Sequence, residues 1–227
     1  MYHYDDLMMA LHKLYFDAIE EADYAFRKLG AVGVKVPTNA NGVYLGDKSF
    51  DPLMEELNRR KSLVIIHPCR AQERPANCIT GTVAAIYEYP ADTTRAVLNM
   101  MANRVMTRFP NIRWVVPHCG SFLPYMKSRA KAMFAMLAKL GMMKTVDVEK
   151  GISKLYFDLA GDPVPDELEM LMNITDDKHI VYGSDYPYVL EPILLQKKKA
   201  LDDVLISRRW AGQVYVNNAE TLLQGKI

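Results

Sequence analysis

Three residues standing where three apolar runs stop have side chains able to do chemistry. His67 follows "SLVII" at 62–66, His118 follows "IRWVVP" at 112–117, and Asp185 follows "HIVYGS" at 179–184. Two imidazoles and a carboxylate suit a divalent transition metal, with zinc first and manganese or iron as alternatives. They equally suit acid–base chemistry without a metal, because an imidazole titrates near neutral pH. Each has a bland reading when taken singly. A histidine after a strand is most often a hydrogen-bonded loop residue, and Gly-Ser-Asp serves as a turn or a helix cap. Their joint occurrence favours function, because folding alone does not require versatile groups on one rim.

A rim exists only if the runs are parallel strands, and the order of elements predicts that. A helix is expected over 5–28, where apolar residues recur at 3.6-residue spacing up to Gly30. The strand "AVGVKV" (31–36) follows, then an Asn- and Gly-rich polar loop. A helix over 51–60 opens with Asp51 as its cap and Pro52 in its first turn. Strand 62–66, helix 92–109, strand 112–116, helix 121–140, strand 154–160, helix 165–174, strand 179–183 and helix 192–206 come next, with a short helix at 217–224. Strand–helix alternation implies a parallel α/β sheet with helical crossovers. Runs that are apolar throughout suit strands covered on both faces. In every such architecture the carboxyl ends of the strands share one edge, where ligands bind.

The remaining candidates are weaker. His179 begins its strand and so belongs to the opposite edge. His12 falls inside the first helix, and His3 lies near the N-terminus. Cys119 reads as a small packed residue rather than a nucleophile. Lys127, Arg129 and Lys131 form a basic helix face that would attract an anion. Composition sets outer bounds. Half of the 227 residues are hydrophobic and the formal net charge is +1, so nothing in the balance asks for nucleic acid or an acidic membrane surface. No apolar run reaches the roughly 18 residues of a membrane span. The N-terminal stretch has neither the basic start nor the apolar stretch of a signal peptide. The three cysteines, Cys69, Cys78 and Cys119, form no Cys-x-x-Cys pair, so a disulfide framework is not expected and a cytoplasmic location is. The whole chain, 1–227, is read as one domain, with 1–29 a helical lead-in and 30–227 the β/α units.

The stretch "TTRAVLNMMANRVMTRFPNIRWVVPHCGSFLPYMKSR", followed by "LYFDLAG" and "HIVYGSDYPYV", resembles the amidohydrolase-related family. The likeness is greatest to its branch of aminocarboxymuconate-semialdehyde, resorcylate and methylsalicylate decarboxylases. "GAVGVKVPTNANGVYL" and the terminal "NNAETLL" fit the same pattern. The resemblance implies a metal-dependent (β/α)8 TIM-type barrel with helices outside. The five strands here would be its fourth to eighth. His67 and Asp185 then hold the metal, His118 activates water or substrate, and Asp185 moves a proton. Arg129 would reach a substrate carboxylate, often across a dimer interface.

One departure stands out. The family's first strand ends in His-x-His, and this sequence has none, so its first three strands are expected to be missing. Two protein ligands hold an ion less well than the three of an ordinary open site. Exposed sheet edges imply a homodimer or a larger homo-oligomer. Three activities follow. The first is loss of carbon dioxide from a small unsaturated or hydroxy-aromatic acid. The second is hydrolysis of a lactone, ester or amide. The third is a non-catalytic binding or scaffold role.

Overall fold

The computed structural model describes residues 15–71 and 84–224. The first half of the expected 5–28 helix, His3, His12 and Cys78 lie outside the described residues. The helix itself is present as α1, Tyr15–Lys28.

Five strands form one sheet in which each is hydrogen-bonded to the next in chain order: β1 (Gly33–Pro37), β4 (Leu63–His67), β5 (Arg113–Val116), β6 (Leu155–Asp158) and β7 (Ile180–Val181). All four pairings are parallel. Between them run α2 (Asp51–Arg59), α3 (Glu88–Ala102), α4 (Val105–Arg108), α5 (Leu123–Lys139), α6 (Val148–Ile152) and α7 (Leu168–Leu171). After β7 come α8 (Glu191–Ser207) and α9 (Asn218–Gln224). A parallel sheet with unbroken neighbour-to-neighbour order and helical crossovers is a stretch of barrel wall. Among the described residues β1 and β7 do not pair with each other.

Because side chains alternate along a strand, the sheet has two distinct faces. Val64, Ile66, Trp114, Val116, Leu155, Phe157 and Ile180 face the helices. They pack in the large core with Leu53, Leu57, Val97, Met100, Leu123 and Leu168. Each such fully buried apolar side chain contributes about 1.5–3 kcal/mol. Leu63, Val115, Tyr156 and Val181 face the other way and form a smaller cluster closed by Leu222 of α9. His67 continues the Leu63–Ile65 row and Asp158 continues the Tyr156 row. Both therefore belong to this inner face, at its carboxyl edge.

Several boundaries differ from expectation for local reasons. Asn39–Ala40 (β2) and Val43–Tyr44 (β3) form a small antiparallel ladder inside the Asn- and Gly-rich loop. Asp51 is the first residue of α2 and not its cap. Phe50 occupies the cap position without a side-chain bond, and Asp51 instead pairs with Arg108. The helix expected over 92–109 starts at Glu88 and breaks after Ala102, where Arg104 takes φ +58. No helix among the described residues is long and apolar enough to cross a membrane.

Candidate active site

His67, His118 and Asp185 come together. His67 Nε2 lies 3.9 Å from Asp185 Oδ1, and His118 Nε2 lies 3.7 Å from Asp185 Oδ2. The two rings have centroids 6.5 Å apart. One carboxylate thus has an imidazole nitrogen facing each of its oxygens. The three side chains retain only 18%, 19% and 23% exposure, so they are largely withdrawn from water without being sealed off.

Each is aimed by its own local structure. His67 ends β4, and its Nδ1 is 3.0 Å from the carbonyl oxygen of Pro68. A carbonyl only accepts, so Nδ1 carries the hydrogen and donates it. In the neutral ring this leaves the lone pair on Nε2, the nitrogen that faces Asp185.

His118 sits just beyond β5, after Pro117. From His118 to Ser121 every residue has positive φ: +56, +50, +75 and +56. Three of these are not glycine, and such a conformation persists only where surrounding bonds over-determine it. Here they do. The His118 N–H donates to Asp158 Oδ1 at 2.9 Å, Ser121 N–H to the His118 carbonyl at 2.7 Å, and Phe122 N–H to Thr94 Oγ1 at 3.0 Å. The tight turn throws the imidazole back over the inner face. Asp185 also has positive φ, +56, and its carbonyl accepts from the N–H groups of Tyr188 and Val189 at 2.9 and 3.1 Å. The Tyr188 ring stands 5.9 Å from that of His67 and walls one side of the site.

The charges reinforce one another. Burial pushes the His118 imidazole down, but the approach of Asp185 and the charges of Asp158, Asp185 and Glu167 outweigh it. The net effect holds His118 above the ordinary imidazole value. Burial pushes Asp185 up, yet the approach of His118 leads in pulling it well below the usual carboxylate range. The two shifts run in the same sense: each group favours the charged form of the other. His118 Nδ1 is buried with no partner among the described residues, so the ring has a polar atom still to be satisfied.

Asp158 belongs to the same edge, and sequence reasoning passed over it. It ends β6 on the inner face, and its carboxylate accepts from the backbone N–H groups of His118 and Ala160 at 2.9 and 3.0 Å. Burial leads in holding its carboxyl above the normal value, against the pull of His118 and those two donors. Gly183 makes room for it: a Cβ there would lie 2.9 Å from Asp158 Cγ. The signal was in the sequence, since "LYFD" ends in an acid as "SLVIIH" ends in a base. Reading the strand as far as residue 160 hid it.

The donor chemistry fits a divalent ion in part. His67 Nε2 and Asp185 Oδ1, 3.9 Å apart, are an imidazole nitrogen and a carboxylate oxygen, the donor types that such an ion takes. Among the described residues no three His, Cys, Asp or Glu side chains close around one point as they stand. Arg129 is placed elsewhere. It lies exposed on α5 and has no hydrogen bond or ion pair with any described residue. On the same helix Lys127 and Lys131 are taken up by Glu149, at 2.9 and 3.2 Å. Cys119 is buried, and burial pushes its thiol well up, which removes it as a nucleophile at neutral pH. His179 bonds Asp176 at 2.7 Å and lies 5.0 Å from the Tyr156 ring, ahead of β7 and away from the rim.

Comparison with known proteins gives this geometry a context. The amidohydrolase family profile matches residues 16–225. The decarboxylase yanB of Aspergillus niger is 35% identical over 179 residues, covering 75% of this chain and 48% of the relative. The chain thus spans about half the length of this curated relative. A crystal structure of an amidohydrolase II protein superposes with a TM-score of 0.82 at 29% identity, over 93% of this chain and 68% of the other. The 5-carboxyvanillate decarboxylase of Novosphingobium aromaticivorans, solved with manganese and a hydroxy-methoxy-nitrobenzoic acid, superposes at 0.76 with 18% identity. That match covers 99% of this chain and 63% of the other.

Proposed function

Because the chain belongs to the amidohydrolase family, we propose that its rim residues remove carbon dioxide from a small hydroxy-aromatic or unsaturated carboxylic acid. The observation that carries this reading is the convergence of His67 and His118 on the two oxygens of Asp185. The names of two of these relatives add support, both being decarboxylases, one of them solved with a hydroxybenzoic acid derivative. Hydrolysis of a lactone, ester or amide would use the same residues, but no feature of the site favours it.

His67 and Asp185 would hold a divalent ion. Manganese is the first to test, given its presence in the Novosphingobium enzyme, with zinc and iron beside it. When bound, such an ion supplies Lewis-acid polarisation of the substrate's oxygens. The chain's own groups do the rest. His118, whose protonated form the carboxylates around it favour, delivers a proton to the ring carbon that bears the carboxylate. The bond from that carbon to the carboxylate then breaks, its electron pair returns to the ring, and carbon dioxide leaves. One proton is taken up for each carbon dioxide released. Asp158 holds the His118 backbone in place while this happens. The Tyr188 ring offers a flat face to an aromatic substrate. Arg129, outward on α5, would pair with the substrate carboxylate in the site of a second copy, so the working form is a homodimer or a larger assembly.

The test is a paired assay of manganese-loaded protein. Hydroxybenzoates should release carbon dioxide, and lactones should stay closed. Lactone opening without carbon dioxide release would replace this reading with the hydrolytic one. A protein that retains no divalent ion after dialysis and turns over neither class would be a non-catalytic binder.

A further inference from the structure

The residue that aims His67 lies outside the rim. Asp92, near the start of α3, is only 1% exposed, and four side chains converge on its carboxylate. Thr38 Oγ1 and Tyr44 Oη donate to it. Asn39 Nδ2 donates at 3.2 Å, and Arg95 Nη1 lies 3.4 Å away. A buried carboxylate only accepts, so it fixes the direction of the Thr38 hydroxyl hydrogen. With its hydrogen committed, Thr38 Oγ1 presents lone pairs outward, and one accepts the backbone N–H of Cys69 at 3.1 Å. Two further bonds lock the same strand ends together. Thr38 N–H donates to the His67 carbonyl at 3.0 Å, and Cys69 Sγ donates to the Asn39 carbonyl at 3.2 Å.

The Cys69 N–H and the Pro68 carbonyl belong to one planar peptide unit. Fixing the first fixes the second, and the Pro68 carbonyl is the group that accepts from His67 Nδ1 at 3.0 Å. A continuous line of bonds thus runs from the Asp92 carboxylate through the Thr38 hydroxyl and the Pro68–Cys69 peptide to the His67 ring.

We propose that Asp92 and Thr38 are positioning residues that set the His67 tautomer, holding the hydrogen on Nδ1 and the lone pair on Nε2 toward Asp185. The inference rests on the proposed role of His67 only for its consequence in metal binding. Its structural content, the tautomer, stands apart from activity.

The experiment uses two substitutions with opposite losses. Thr38→Val keeps the shape of the side chain and removes the hydroxyl. Thr38→Ser keeps the hydroxyl and removes the methyl. In metal-free protein labelled with nitrogen-15 histidine, long-range proton–nitrogen spectra report which ring nitrogen of His67 carries the hydrogen, with His67→Gln assigning the signal. Wild type and Thr38→Ser should both show the Nδ1–H form. Thr38→Val should shift a measurable fraction to Nε2–H. Titration with manganese(II) chloride, followed by electron paramagnetic resonance, should give a Kd weaker by about ten- to a hundredfold in Thr38→Val and within a few-fold of wild type in Thr38→Ser. An unchanged tautomer in Thr38→Val overturns the proposal. So does a Thr38→Ser protein that behaves like Thr38→Val, because packing and not the hydroxyl would then be at work. Should wild type bind no manganese, the functional reading falls, and the tautomer comparison still decides the relay.

Discussion

His118→Ala is expected to lower kcat for decarboxylation by about 10²–10⁴-fold, the range that a positioned proton donor contributes. KM should change much less. The reason is geometric: His118 Nε2 stands 3.7 Å from the Asp185 carboxylate, which favours its protonated form, while the pair proposed to hold the metal, His67 and Asp185, does not include it. Manganese affinity should therefore stay within a few-fold of wild type. The fold should survive as well, because the bond that organises the turn comes from the His118 backbone N–H to Asp158, and alanine keeps that donor. Stopped-assay release of carbon dioxide from a hydroxybenzoate, beside a manganese titration, measures both. Retention of wild-type kcat would remove His118 from the mechanism.

Asp185→Asn should have the broader effect, because one carboxylate serves two imidazoles. Losing its charge leaves only a neutral amide oxygen as donor and should weaken manganese binding by at least about tenfold, with turnover falling about 10²-fold or more. It should also change the titration of His118 in the metal-free protein. Burial pushes that ring down, and Asp185 leads the groups that push it up. The folded wild-type value therefore lies above the unfolded one. The stability it contributes is fully present below the unfolded imidazole pKa and is lost as pH rises through the folded one. In Asp185→Asn the folded value should fall, so this pH-dependent contribution shrinks. Histidine proton resonances followed across pH 5–9 give the direction, and an unmoved His118 would mean that Asp185 does not hold its proton.

The sequence made the rim legible because the rim rests on local signals. β-branched runs that stop at Pro or Gly mark strand ends, and strand ends in a parallel sheet share an edge. That logic placed His67, His118 and Asp185, which the fold brings within 4 Å contacts. It passed over Asp158 for want of one correct boundary, since β6 stops at Asp158 and not two residues later. Asp92 was beyond its reach. Its partners Thr38, Asn39 and Tyr44 lie 54, 53 and 48 positions away, and nothing in helical or strand periodicity pairs a helix start with a loop so distant. The β2–β3 ladder was hidden for a related reason, being two residues per strand within a segment whose composition reads as loop. Arg129 came from family likeness alone, and it stands exposed on α5.

The most direct measurement of the central claim is the location of a bound ion. Crystals soaked in manganese(II) and measured at the manganese absorption edge should show one anomalous peak within about 2.0–2.3 Å of both His67 Nε2 and the Asp185 carboxylate. His118 should lie beside the ion without binding it. A peak elsewhere on the molecule, or none at saturating manganese, would contradict the account.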